Sequence, residues 1–209
     1  MEKIRRLLLE NKAWAQGKVE IDEKYFANMA KGQDPEYLWI GCADSRVPPS
    51  EITNTDPGEM FVHRNIANLV VHTDINLLSV LSYAVEHLKV RHIIVCGHYN
   101  CGGVKAAMSS MSLGIINNWV RNIKDVYSVN KQDLDLIPAE SDQLNRLVEL
   151  SVLEQVKNLY HTSIIQKSWK DIQLPYIHGM VYDLNTGLLK TLQTVGPDFE
   201  IDPAHKYEF

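Results

Sequence analysis

Cysteine is scarce in this sequence, with three residues at positions 42, 96 and 101, and so small and odd a number argues against a disulfide framework. It points instead to metal or thiol chemistry. Basic residues are not in excess either: 21 Lys plus Arg face 26 Asp plus Glu, a formal charge of -5, which leaves no positive surplus to neutralise phosphates. No nucleic-acid partner is expected. No stretch approaches the roughly 18 apolar residues of a membrane span, and the three-leucine run in the opening segment is too short for a signal-peptide core. A cytoplasmic protein without membrane association is the expectation. Internal repeats and low-complexity linkers are also missing, so the 209 residues, 45% hydrophobic, read as one globular domain with a sizeable core.

Along the chain, Ile4–Gln16 and Asp22–Lys31 predict short helices, set apart by the breaker Gln33-Asp34-Pro35. Three apolar runs, Tyr37–Cys42, Met60–His63 and Arg91–Cys96, read as buried strands. Between the last two, Leu77, Leu81, Ala84, Val85 and Leu88 recur at helical spacing, with Thr73 or Asp74 available as the N-cap. The continuous apolarity of Ile93–Cys96 suits a strand covered on both faces, as in a parallel sheet flanked by helices. Further helices are expected at Val104–Met108, Ile115–Val129, Ser141–Tyr160 and Ser163–Lys170, then a hairpin of Tyr176–Asp183 and Leu188–Thr194 around Asn185-Thr186-Gly187. The fold expected is therefore α/β, a single domain with a central, mostly parallel β-sheet flanked by helices and an N-terminal helical extension. Its parts would be an arm over 1–33, a core over 34–195 and a loosely held tail over 196–209.

Two segments carry the chemistry: Cys42-Ala43-Asp44-Ser45-Arg46 after the first strand and His98-Tyr99-Asn100-Cys101-Gly102-Gly103 after the third. In an open parallel sheet the carboxyl ends of strands converge on a crevice, so the two segments can supply one site. Two thiolates and an imidazole are donors that zinc prefers, and three protein ligands leave a fourth position open. Spacing alone leaves metal binding and unlinked residues both open, because the pattern is weaker than a paired C-x-x-C array. Cys96, inside a buried strand, reads as a small hydrophobe.

The blocks Cys42-Ala43-Asp44-Ser45-Arg46-Val47-Pro48, His63-Arg64-Asn65-Ile66-Ala67-Asn68 and Cys96-Gly97-His98-Tyr99-Asn100-Cys101-Gly102-Gly103 closely resemble the signatures of β-class carbonic anhydrases. The likeness runs to about residue 194, takes in Gly114–Trp119 and His178–Asp183, and fades in the tail. It departs at Ala43 and Pro49, where serine and alanine are commoner. The resemblance implies zinc held by Cys42, His98 and Cys101, an Asp44-Arg46 dyad, carbon dioxide and bicarbonate as substrates, and a homodimer or homotetramer. Carbon dioxide is a weak electrophile, so its hydration needs hydroxide near neutral pH, which zinc supplies by acidifying bound water. Asp44 would accept the remaining hydrogen and orient a lone pair, Arg46 would keep Asp44 ionised, and Gly102 and Gly103 would let substrate and backbone amides approach.

Asp44 also lies close enough to Cys42 in sequence to become a fourth zinc ligand and shut the site. A bicarbonate-regulated subset of the family is similar to this chain in having a Trp before the Cys motif, the Arg of His-Arg-Asn and a Tyr in the late strand, here Trp39, Arg64 and Tyr182. That likeness implies a non-catalytic bicarbonate on these three, a shift of the Val47-Pro48 loop, closure of Asp44 on the metal, and activity that rises through mildly alkaline pH. A structural zinc module or metal sensor is the competing reading, and it leaves Arg46 without a use. A zinc dehydrogenase would need a G-x-G-x-x-G after the first strand, which is missing. Hydrolysis of an analogue such as carbon disulfide is open on the same site. Among His63, His72, His87, His92, His161, His178 and His205, nothing in the sequence selects a proton shuttle.

Overall fold

The three apolar runs pair side by side. In the computed structural model, which describes residues 1–209, they form strands β1 (Tyr37–Cys42), β2 (Met60–Asn65) and β3 (His92–His98). With β4 (Tyr176–Asp183) and β5 (Leu188–Val195) they make one sheet in the order β2-β1-β3-β4-β5. The first four are mutually parallel and β5 runs antiparallel to β4. Two strands extend past their apolar runs: β2 continues through Arg64 and Asn65 opposite Gly41 and Cys42, and β3 through Gly97 and His98 opposite Val181 and Tyr182. Neighbouring strands supply ladder partners to these less apolar residues, which hydrophobicity alone would end early.

Helical cover is unequal on the two faces. One face carries Leu38, Ile40, Ile93, Val95, Ile177 and Val181 into the main core, where the long helix α8 (Glu140–Tyr160) packs. Gly97 of β3 and Gly179 of β4 let α8 come close: an added Cβ at Gly97 would lie 2.7 Å from Val152, and one at Gly179 would lie 3.0 Å from Val156. The opposite face holds a smaller cluster of Trp39, Ile94 and Cys96, edged by Tyr37, Ile52, Met60, Met180 and Tyr182.

The crossover from β2 to β3 is helix α4 (Ile75–Ser82), capped by Asp74, whose Oδ1 accepts from the amides of Asn76 and Leu77 at 3.1 and 3.3 Å. A single helix through Leu88 does not form. The chain widens into a π turn at Tyr83–His87, which keeps Ala84 and Val85 buried. Two short helices were not expected, α3 (Pro49–Thr53) and α7 (Lys131–Asp135), while α5 (Gly102–Met108), α6 (Ile116–Val129) and α9 (Ser163–Ile172) lie within a few residues of the expected bounds.

The chain divides into two compact units, Met1–Asp34 and Pro35–Phe209. In the first, α1 runs Glu2–Ile21, longer than the expected Ile4–Gln16, because Gly17 stays helical instead of turning left-handed as a cap. Asp22 accepts from the Lys24 amide and makes a turn, so α2 is only Tyr25–Met29. Trp14 packs edge-on against Phe26 at 5.6 Å. No residue of α1 is buried.

The tail departs from a loosely held end. Ile201 is buried, the Gln166 amide donates to the His205 carbonyl and accepts from the Tyr207 amide, and the His205 ring stacks on His161 at 4.0 Å. A glutamine on α9 thus gives this charged segment fixed backbone partners. No helix is long and apolar enough to cross a membrane.

Candidate metal centre

β1 and β3 are direct neighbours, so their carboxyl ends deliver Cys42 and His98 to one place, and the turn after β3 returns Cys101 beside them. The three donor atoms lie within 4.8 Å of one another, all three residues are buried, and the two sulfurs are 3.9 Å apart. The Nδ1 of His98 is 3.0 Å from the Tyr99 carbonyl oxygen. A carbonyl only accepts, so Nδ1 carries the hydrogen and Nε2 presents its lone pair. That Nε2 is fully buried and has no partner in the protein. An orphaned acceptor beside two thiols fits a soft or borderline cation such as zinc.

The two thiols are not equivalent. Cys42 is pulled down, chiefly because Cys101 donates to it, with help from the backbone amides of Asp44 and Ala67 against the effect of burial. Cys101 is pushed up by the same bond and by burial. The pair keeps its proton on Cys101, and a metal ion has to displace it. Cys96 stands apart: burial raises its thiol, which donates to the Gly97 carbonyl. It behaves as the small hydrophobe expected.

Asp44 and Arg46 form a two-pronged pair, Nε to Oδ1 at 3.0 Å and Nη2 to Oδ2 at 2.7 Å, and the Arg46 amide adds a third bond to Oδ1. These bonds hold Asp44 well below the usual carboxylate range. Its Oδ2 is nevertheless only 3.7 Å from His98 Nε2. Arg64 sits on the same loop from the other side, donating Nε to the Cys42 carbonyl at 2.8 Å and Nη2 to the Asp44 carbonyl. Trp39 and Tyr182 share the small cluster on the second sheet face, and the buried Trp39 Nε1 has no acceptor.

The sequence reading gave no role to the turn Ile66–Asn68, which shapes the centre. Ala67 and Asn68 both adopt left-handed backbone, with φ of 62° and 49°. Such residues cost on the order of 1–3 kcal/mol each unless their surroundings fix them. Here Asn65 brackets the turn with two 2.8 Å bonds to the Leu69 amide and carbonyl, and Trp119 Nε1 donates to the Ile66 carbonyl at 2.8 Å. The reward is the Ala67 amide aimed at Cys42. The only sequence signal was membership of these residues in the quoted blocks. Gly102 and Gly103, expected to act alike, differ: a Cβ on Gly103 would lie 2.9 Å from Ile66 and 3.0 Å from Ala67, whereas one on Gly102 meets nothing within 4 Å.

A buried Cys₂His donor set where parallel strands end, faced by an ionised acid held by an arginine, defines the class as an α/β protein with a donor cluster that could hold a metal ion. The carbonic anhydrase family model matches residues 37–189. A carbonic anhydrase of Emericella nidulans is 49% identical over 197 residues, covering 94% of this chain and 86% of that protein. Among solved structures, a tetrameric β-carbonic anhydrase of Sordaria macrospora superposes with a TM-score of 0.90 at 38% identity, covering 93% of this chain and all of that one. A Coccomyxa β-carbonic anhydrase in complex with acetazolamide gives 0.87 at 43% identity, covering 91% and 86%. The chain belongs to the β-carbonic anhydrases, which places it among the lyases.

The unequal glycines give a direct test of the turn. Gly103→Ala should push Ala67 off Cys42 and lower both zinc content and thermal stability, by about 1–3 kcal/mol for overpacking. Gly102→Ala should leave thermal stability at the parent's value. Equal melting temperatures for the two variants would contradict the packing described.

Proposed function

We propose that the protein catalyses the reversible hydration of carbon dioxide to bicarbonate and a proton, with zinc held by Cys42, His98 and Cys101. The observation that carries this reading is the buried, unpartnered Nε2 of His98 beside two thiols. When bound, zinc acidifies water and so provides a nucleophile near neutral pH. Asp44 would accept a hydrogen bond from the attacking oxygen and so orient it towards the substrate carbon. Arg46 engages both Asp44 oxygens and thereby keeps the acceptor ionised and aimed. Tyr99, through its carbonyl, keeps the His98 hydrogen on Nδ1. The three free thiols accord with a reducing, cytoplasmic setting. Stopped-flow hydration with zinc quantification is the test: about one zinc per chain in the parent, and loss of both metal and activity on replacing Cys42, His98 or Cys101 by Ala. Full zinc occupancy in all three variants would defeat the ligand set.

The assembly we propose is a homodimer or homotetramer built on two-fold axes, with the arm of residues 1–33 laid on a neighbouring copy. Support comes from α1, which exposes Ile4, Leu7, Leu8 and Leu9 and buries nothing, and from the tetrameric Sordaria relatives. Sedimentation velocity should show a species at two or four times 23.8 kDa. A fully active monomer would overturn the assembly.

Bicarbonate is proposed to act also as an inhibitor at Trp39, Arg64 and Tyr182. Two features support this: the buried Trp39 N–H lacks an acceptor, and Arg64 spends its donors on the carbonyls of Cys42 and Asp44. An anion that captures Arg64 competes with those carbonyls and loosens the loop bearing Asp44. Oδ2 of Asp44, 3.7 Å from His98 Nε2, would then be free to join the donor set. Bicarbonate closes the site only in so far as it binds the closed state better. Arg64→Ala and Tyr182→Phe, checked for zinc content and melting temperature, should weaken the non-competitive part of bicarbonate inhibition by about tenfold, within the usual range of site coupling. Unchanged inhibition in both well-folded variants would leave Asp44 as a dyad residue alone.

A further inference from the structure

The geometry points to Glu149 as a positioning residue for the metal-binding histidine, acting through Tyr99. It rests on the reading of His98 as a zinc ligand and deepens it. The Tyr99 carbonyl oxygen that accepts from His98 Nδ1 belongs to a residue held at three points. Its amide donates to the Tyr182 carbonyl at 3.0 Å, which ties it to β4. Its phenol donates to Glu149 Oε1 at 2.7 Å, which ties it to α8. Its successor, Asn100, is left-handed with φ of 57°, which turns the chain sharply back towards Cys101. The backbone torsions of Tyr99 decide where the carbonyl points, and the phenol bond restrains them through the side chain.

Glu149 is built for that task. Its carboxylate is only 13% exposed and accepts three bonds: Tyr99 and Lys190 Nζ on Oε1, the latter at 2.8 Å, and Arg146 Nη1 on Oε2 at 2.9 Å. Burial alone would raise this carboxyl, yet the donors from Lys190, Tyr99 and Arg146 reverse the sign and lower it. The acceptor therefore stays charged, and two cations from α8 and β5 fix its orientation. Val148 and Val152, on either side of Glu149 in α8, lie against Gly97, the residue just before His98. The same helix thus sets the height of β3 and the position of the carboxylate. A ligand's supporting hydrogen bonds matter because they fix its tautomer and ring direction, and losing one typically costs 10–100-fold in metal affinity or activity.

The test is the rate of zinc transfer from the loaded, full-length protein to a chelator, together with melting temperature, for Tyr99→Phe, Glu149→Leu and Glu149→Gln. Tyr99→Phe and Glu149→Leu should release zinc about tenfold faster, and the double variant no faster than either alone, because both break one bond. Glu149→Gln keeps a carbonyl acceptor for the phenol while losing the charge opposite Lys190 and Arg146. It should melt lower than the parent yet hold zinc as the parent does. A purely structural Glu149 predicts instead that zinc release follows melting temperature across all three. That pattern, or parental release rates in folded Tyr99→Phe, would overturn the proposal. His98→Ala is run alongside: parental zinc retention there would overturn the ligand assignment itself, and with it this role.

Discussion

The centre depends on the parallel register of β1 against β3. With Ile40 opposite Val95 and Gly41 opposite Cys96, Cys42 and His98 end side by side, and the turn to Cys101 needs only two intervening residues. Side chains alternate faces along a strand, so a slip of one residue would turn Cys42 away and send Leu38 and Ile40 out of the core. Burial of the apolar face therefore enforces the metal geometry. The energy that selects the register comes from aliphatic side chains remote from any catalysis, and the donor set inherits its precision from them.

Around that fixed set the charged groups are arranged in opposition. Arg46 holds the Asp44 carboxylate from the exposed side, whereas the buried Nε2 of His98 lies 3.7 Å from its Oδ2. Arg64 holds the backbone of the same residue from below. The carboxylate thus sits between its two-pronged partner Arg46 and the His98 ring, and Arg64 and Arg46 together fix the loop that carries it. By contrast, the Glu149 carboxylate accepts on both oxygens from three donors at once.

The apolar centres of β1, β2 and β3, the helix between β2 and β3, and the closing hairpin were all legible, because burial imposes its period on the chain. The three ordered polar blocks gave the donor set and the dyad through resemblance, where spacing alone left the matter open. What stayed hidden has a common cause. The strand ends at Arg64–Asn65 and Gly97–His98 depend on ladder partners far away in sequence, and hydropathy does not register them. The left-handed pair Ala67-Asn68 carries no glycine to announce it. Glu149 reads as one more polar residue in an amphipathic helix until the fold brings Tyr99 and Lys190, each about forty or more residues distant, to its Oε1. The tail looked loose because its anchors sit on α9.

The orphaned indole of Trp39 has a consequence for how this chain can change over time. A buried N–H with no acceptor is destabilising by roughly 1–3 kcal/mol, and an aromatic hydrocarbon of similar shape would not carry that cost. On folding energy alone, phenylalanine would suit the position better than tryptophan. Exchange of this indole for a phenyl ring would therefore remove a cost from the fold without touching the three donors of the centre.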